Sequence, residues 1–280
     1  MNCPGAHLSL DDILGLARAI EDARIEGAAG AVVTQGTDTI EETAFVLDTV
    51  LDPAYPVVVT GAMRHPGQPG SDGPANLLAA VAIAASDAAA GIGTVVVMND
   101  EIHAGQLVQK THATKPSAFS SPSAGPMGFI AEGRPRIILR PAARARIILN
   151  DIGAAPAAVA LISIGLGDDG TLARMAGLDG DDRFQGLVID AMGAGHVPEP
   201  VADALGEIAR RLPVILASRT HAGAVLAATY GFKGSESDLM ARGLIGAGWL
   251  TGPKARLLLT LGLRAGLDLA GLRQAFSAVN

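Results

Sequence analysis

A hydroxyl beside a carboxylate, Thr37-Asp38, stands in the run Val32-Val33-Thr34-Gln35-Gly36-Thr37-Asp38-Thr39-Ile40-Glu41-Glu42-Thr43, where an apolar strand gives way to a helix. Gly36 allows a tight turn, and Thr39 with Glu42 has the spacing of a capping box opening a helix that Phe45, Val46 and Leu47 continue. The pair is therefore expected at a helix N-terminus, where unpaired amides attract carboxylates and developing anions. In open α/β sheets, ligands bind beyond the carboxyl ends of the strands, in such a place.

A threonine hydroxyl is a weak nucleophile near neutral pH and needs a base to take its proton as it attacks a carbonyl. Lys110, in Val108-Gln109-Lys110-Thr111 at the end of an expected strand, is a candidate, because desolvation lets a buried lysine give up its proton. Asp38 opposes that change. At ~4 Å and an effective dielectric of ~20, a carboxylate and an ammonium attract by about 4 kcal/mol, which favours the charged lysine. A Thr–Lys–Asp group must therefore pass protons cooperatively. The plainer alternative is that Lys110 and Asp38 pair only to hold two segments together.

The elements that must position these groups alternate. Ser9 with Asp12 forms a capping box, and Ile13, Leu16, Ala17 and Ile20 recur at helical spacing, so a helix is expected over 10–23. A strand follows at Ala31, then the helix after Thr39, a strand over 56–60, a helix over 74–86 and a strand over 93–98. This predicts a parallel sheet covered on both faces. Short extended pieces over 106–111 and 129–139, broken by Pro and Gly, suggest an antiparallel hairpin annexe. The segment 141–156 has no clear period over much of its length and is taken as the connection between an N-terminal domain, 1–140, and a C-terminal domain, 157–280. There, 158–164, 186–190 and 213–217 read as buried strands, with helices near 171–175, 199–211 and 254–263.

At 280 residues and 49% hydrophobic, the chain can bury a large core, and its many Gly and small apolar residues suit helix-on-sheet packing. A net charge of -7 without a basic run disfavours nucleic acid or an anionic membrane as partner. The single Cys3 leaves no internal disulfide and no thiolate set for a metal, which fits a reducing, cytoplasmic compartment. No apolar run approaches the ~20 residues of a membrane span. The start, Met1-Asn2-Cys3-Pro4-Gly5, has no basic-then-apolar pattern of a signal segment.

Ordered motifs are spread over nearly the whole chain. They are Thr34-Gln35-Gly36-Thr37-Asp38-Thr39-Ile40-Glu41-Glu42-Thr43, Thr60-Gly61-Ala62-Met63-Arg64, Asp72-Gly73-Pro74-Ala75-Asn76-Leu77, and Val97-Met98-Asn99-Asp100-Glu101-Ile102 followed by Lys110-Thr111. Phe119-Ser120-Ser121-Pro122, Gly125-Pro126-Met127-Gly128, Gly193-Ala194-Gly195, Ser218-Arg219 and Lys254-Ala255-Arg256 add to them. Together they resemble the bacterial-type L-asparaginase family.

The resemblance implies a two-domain α/β architecture, with a larger N-terminal parallel-sheet domain and a smaller flavodoxin/Rossmann-like C-terminal domain. It implies hydrolysis of the side-chain amide of L-asparagine, with L-glutamine as a second candidate substrate, and no metal or organic cofactor. On it, Thr37 activates water or assists acyl transfer, Lys110 handles its proton, and Asp38 orients the lysine and binds the substrate amino group. Gly36 belongs to the same substrate-binding turn, and Ala62, beside Met63, supplies a backbone carbonyl that helps place the amide. Self-association as a homodimer or homotetramer is implied too, with the second domain completing a neighbour's site through His196 and through Glu236, which precedes an Arg242-Gly243-Leu244 segment read as a strand. The plainer readings of these two are a turn histidine and a solvated helix charge.

The chain departs from the family where members begin with a strand and a Thr-Gly-Gly-Thr-Ile type of turn carrying a first threonine, followed by a mobile tyrosine. Gly5-Ala6 also fall where the family places a serine and a polar neighbour, and cannot offer side-chain hydrogen bonds. The chain therefore reads either as the incomplete form of a working enzyme or as a shortened, catalytically impaired homologue that binds amino acids or assembles with another protein. Gly165-Leu166-Gly167-Asp168-Asp169-Gly170, with Asp190 about twenty residues on, imitates a dinucleotide fingerprint. Its adjacent carboxylates would oppose a pyrophosphate on helix amides, so a plain turn is expected. His65, His103, His112 and His221 lack metal-ligand spacing.

Overall fold

The computed structural model describes residues 3–142, 144–177 and 183–279. The opening Met1-Asn2 and position 143 of the expected connection lie outside them. The chain divides into two compact units, Met1–Arg144 and Ala145–Asn280.

In the first unit the Ser9–Asp12 capping box forms on both sides and opens helix α1, Leu10–Ile25, whose Ile13, Leu14, Ala17 and Ile20 are buried. Full burial of a side chain such as Leu14 stabilises by about 1.5–3 kcal/mol. Strand β1, Ala31–Thr34, leads through a turn to helix α2, Ile40–Val50; strand β2, Val57–Thr60, is followed by helix α3, Gly73–Ala84, and strand β3, Thr94–Met98. These three strands run parallel and in register, Thr34 beside Thr60 and Val58 beside Val95. On one face Val58, Val95 and Val97 pack with Ala79, Ala80 and Ile83 of α3. The alternate residues Val57, Val59 and Val96 are as deeply buried, and α2 packs against β2 and β3. Burial on both faces is why these strands read as unbroken valine runs.

Strand β4, Glu101–Ala104, which the sequence reading does not isolate, turns back antiparallel on β3 across Asn99 and Asp100, both at positive φ. Strands β5, Gln109–Lys110, and β6, Phe119–Ser120, form a separate two-stranded pair. Strands β7, Gly128–Ala131, and β8, Arg134–Ile137, form a hairpin that joins β4, so the sheet runs β1-β2-β3-β4-β7-β8. The extended piece over 129–139 is thus two strands. Glu132 and Gly133, at φ 53 and 69, make the two-residue left-handed turn that matches strand twist.

One buried ion pair fastens this unit. Asp48 Oδ1 on α2 accepts the Thr94 amide at 2.9 Å and Arg144 Nη1 at 3.0 Å, with both side chains at most 10% exposed. Gly93, at φ +73, lies so close that a Cβ there would strike both partners.

The second unit is a wholly parallel sheet. It contains strand β9, Val159–Ser163, helix α4, Thr171–Gly177, strand β10, Gly186–Ala191, helix α5, Glu199–Ile208, and strand β11, Val214–Ser218. Helix α6, Glu236–Ala241, strand β12, Ile245–Gly246, helix α7, Gly252–Arg264, and helix α8, Leu269–Ser277, complete it, with the strands ordered β12-β11-β10-β9. Val201, Leu205 and Ile208 of α5 pack on Leu187, Ile189 and Leu216, while α7 packs against β9, β10 and β11. Arg242-Gly243-Leu244, read as a strand from sequence, is the turn that ends α6. Gly243 sits at φ +106, and a glycine there stops a helix and frees the chain for the strand two residues later.

Candidate functional site

The parallel strands β1 and β2 end side by side, and the Gln35 amide donates to the Thr60 carbonyl at 3.1 Å just beyond them. From these two ends the chain enters the segments that carry Thr37-Asp38 and Ala62-Met63. The expected Thr39–Glu42 capping box does not form. Thr37–Thr39 is a separate tight helical turn before α2, and the Thr39 hydroxyl donates instead to the Gly5 carbonyl at 3.1 Å while accepting from Gln35 Nε2. Gly36 also owes its place to something other than conformational freedom. Its φ is an ordinary -62°, but Gly5 N would lie 3.2 Å from a Cβ there, and a Cβ on Gly5 would meet the Gly36 carbonyl oxygen at 2.8 Å. The two glycines let the chain near its start lie directly on the reactive turn.

Lys110 reaches that turn from β5. Its Nζ is 2.9 Å from Thr37 Oγ1 and 2.8 Å from Asp38 Oδ1. The lysine side chain is 15% exposed, whereas Asp38 is 68% exposed, so the amine is sheltered and the carboxylate faces outward. The three sequence-selected residues therefore meet. A 2.9 Å contact serves proton traffic both ways: the ammonium donates to the hydroxyl oxygen, and a neutral amine accepts the hydroxyl proton.

A contact the sequence reading missed completes the grip. The Lys110 main-chain amide donates to Glu41 Oε2 at 2.8 Å, so α2 also holds the backbone of β5. The only sequence signal is that Glu41 lies one helical turn beyond Thr37-Asp38. Strand β5 is held on its other side by β6, where Thr111 Oγ1 lies 3.1 Å from the Ala118 carbonyl and 3.2 Å from Ser120 Oγ. Ser121, next in the chain, lies 3.1 Å from Nδ1 of the buried His103 on β4, and His103 Nε2 faces Glu101 Oε2 at 3.3 Å. Burial lowers the His103 pKa below the ordinary imidazole value, with Glu101 offsetting part of the effect.

The Ala62-Met63 segment is fixed by Asp72, whose carboxylate accepts the Met63 and Arg64 amides at 2.9 Å each. Burial pushes the Asp72 carboxyl up, and these amides, its own backbone and the Asn76 side chain pull it below the usual range. Asn76 Nδ2 donates to the Gly61 carbonyl at 3.0 Å, and its Oδ1 accepts the Asn99 amide at 3.0 Å. One asparagine thus ties together the segments that follow β2 and β3.

In the second unit His196 and Glu236 also meet, with Nε2 3.2 Å from Oε2. Glu236 is not a solvated helix charge. It is fully buried, and its Oε1 accepts the Thr229 and Tyr230 amides at 2.8 Å each. Burial raises its pKa, but hydrogen bonds from Tyr230, Thr229, its own backbone and His196 together outweigh that and leave it below the usual value. His196 keeps 23% exposure and stacks edge-on with Tyr230 and Phe232, centroids 4.8 and 5.1 Å away. The dinucleotide-like segment is a turn. Asp168 accepts the Gly170 amide and Asp169 the Thr171 amide, each at 2.9 Å, so the carboxylates occupy the donors that a pyrophosphate would need.

Fold and site together define an α/β protein with two parallel-sheet units and a hydrogen-bonded threonine–lysine–carboxylate cluster near the strand ends of the first. Comparison with known proteins supplies the family. Residues 1–143 match the model described as "Asparaginase, N-terminal", and residues 158–276 match "Glutaminase/Asparaginase C-terminal domain", so the chain belongs to the asparaginase family. It is 36% identical to a probable L-asparaginase of Deinococcus radiodurans, over 99% of this chain and 83% of that protein. It is 33% identical to a probable periplasmic L-asparaginase of Haemophilus influenzae, over 94% and 74% of the two chains. The crystal structure of a probable cytoplasmic L-asparaginase from Campylobacter jejuni superposes with a TM-score of 0.87 at 32% identity, covering 99% of this chain and 86% of that one.

Proposed function

We propose that this chain hydrolyses the side-chain amide of L-asparagine to L-aspartate and ammonia. The observation that carries the reading is Lys110 Nζ within hydrogen-bond reach of both Thr37 Oγ1 and Asp38 Oδ1. In the proposed reaction Lys110 takes a proton from Thr37 or from water held by it. The oxygen so freed attacks the amide carbon, the C–N bond breaks, and the proton returns to the departing nitrogen as ammonia; where that oxygen is Thr37 Oγ1, water then cleaves the resulting ester and a proton from it returns to Thr37. Water supplies the hydroxyl of the product carboxylate, and no external oxidant, reductant or cofactor is needed. Asp38, being exposed, is free to meet the substrate amino group while its other role is to orient Lys110. Gly36, the Ala62 carbonyl and Met63 complete the substrate surface.

An ammonia-release assay with L-asparagine and with L-glutamine, run beside Thr37→Ala, tests the reading. Release no faster than that of the variant overturns it. The silent-homologue alternative is not favoured, since relatives named L-asparaginase or probable L-asparaginase match most of this chain at 33–36% identity. Self-association as a dimer or tetramer is part of the same proposal, with the part-exposed His196 in the neighbour-facing role and the fully buried Glu236 acting only through it; sedimentation giving the 28.3 kDa monomer mass alone contradicts it. A cytoplasmic location, proposed from the single cysteine and the likeness to the Campylobacter jejuni protein, is tested by cell fractionation.

A further inference from the structure

We propose that Glu41 is the positioning residue that sets Lys110 against Thr37, an inference that rests on the amide-hydrolysis reading above. A lysine on a two-residue strand has little of its own to fix it. Strand β5 is only Gln109–Lys110, and among the described residues its ladder pairs with β6. A flexible four-carbon side chain can aim an amine accurately only if the main chain from which it springs is held. Here the grip comes from the helix that follows the reactive turn. Glu41 Oε2 accepts the Lys110 amide at 2.8 Å, while Thr37 Oγ1 and Asp38 Oδ1 take the ammonium at 2.9 and 2.8 Å.

Both ends of one lysine are thus held by residues within a five-residue span, Thr37 to Glu41. The consequence is geometric. Any rigid shift of the Thr37–Glu41 segment carries the hydroxyl, the carboxylate and the anchor of the base together, so the 2.9 Å proton path survives movements of this segment with β5 relative to the rest of the unit. Without Glu41 the amine remains attracted to Asp38, which is 68% exposed and able to follow it, but its distance to Thr37 is no longer fixed. Glu41 touches no reacting atom and acts through Lys110.

Four variants, Glu41→Ala, Glu41→Gln, Lys110→Met and the double variant Glu41→Ala/Lys110→Met, test this by steady-state ammonia release with thermal unfolding as a fold control. Gln retains an oxygen that accepts the Lys110 amide, so Glu41→Gln is expected to keep kcat within about 3-fold. Glu41→Ala is expected to lower kcat by about 10- to 100-fold with KM changed less than about 3-fold, the signature of misplacement in the reacting geometry. In the double variant Glu41→Ala is expected to cost nothing beyond Lys110→Met, because residues that act as a unit are not additive.

Amide hydrogen exchange at Lys110 gives a readout independent of turnover: slow in the native chain and Glu41→Gln, faster in Glu41→Ala. Native kcat in Glu41→Ala while Lys110→Met is inactive overturns the Glu41 proposal alone. So does an equal loss in Glu41→Ala and Glu41→Gln, an additive loss in the double variant, or unchanged exchange in Glu41→Ala. Full activity in Lys110→Met instead overturns the lysine's role in the parent reading, and this proposal with it.

Discussion

Lys110 Nζ lies 2.9 Å from Thr37 Oγ1 across 73 residues of sequence, and the same amine is 2.8 Å from Asp38. Proton transfer by a positioned group contributes about 10²–10⁴-fold to rate, so Lys110→Met and Thr37→Ala are each expected to lower kcat for asparagine by that order. Asp38→Asn is expected to cost less in kcat, about 10-fold, and to raise KM, because the exposed carboxylate meets the substrate amino group in the proposed complex. Steady-state ammonia release checks all three; loss of KM alone in Lys110→Met would contradict a role in proton transfer.

Stability is expected to fall on mild acidification through His103. Burial holds this imidazole neutral, so its folded pKa lies below the unfolded value of 6.5. Above 6.5 neither state takes the proton and the contribution is full. As pH drops below 6.5 the unfolded chain takes up a proton that the folded one refuses, and stability declines until the lower folded value is passed. Urea midpoints between about pH 7.5 and 5 follow the decline, and His103→Gln flattens it.

The Asp48–Arg144 pair makes a different prediction. Asp48→Ala leaves the Arg144 charge buried without its carboxylate and the Thr94 amide without its acceptor, which costs about 3–5 kcal/mol of unfolding free energy in urea. Replacing both partners together by Leu and Met is expected to be much milder, since no charge is then left in the interior.

Glu236 ties the Thr229–Tyr230 segment to α6. Glu236→Ala frees two amides at once, and faster hydrogen exchange at both positions is the expected result. The carboxyl lies below its ordinary 4.5 in the folded chain, so its contribution is complete above 4.5 and is lost as pH falls through the depressed value. Protection of the Tyr230 amide that survives unchanged in Glu236→Ala contradicts this account.

Local chemistry made much of the molecule legible in the sequence. The Ser9–Asp12 capping box needs only residues three apart, and it forms as read. The valine runs of β2 and β3 announce burial on both faces, and the motif around Thr37, Asp38 and Lys110 marks the residues that meet. Thr39–Glu42 has equally good local spacing and fails, because Thr39 belongs to the tight turn before α2 and its oxygen accepts from Gln35 Nε2 instead of a helix amide. Arg242-Gly243-Leu244 looks extended, but Gly243 is spent on ending a helix.

Tertiary structure alone decided what holds the reactive group in place. No periodicity relates Glu41 to the main chain of Lys110, Asn76 to Asn99, or Glu236 to Thr229, since each pairing depends on which strand ends and turns the fold brings together. Side-chain types fix what chemistry is available, and spacing along one element fixes which of them share a face. The 2.8–2.9 Å distances of the lysine come instead from two chain segments, far apart in sequence, closing on one point, an outcome set by packing of the whole unit rather than by any stretch of it.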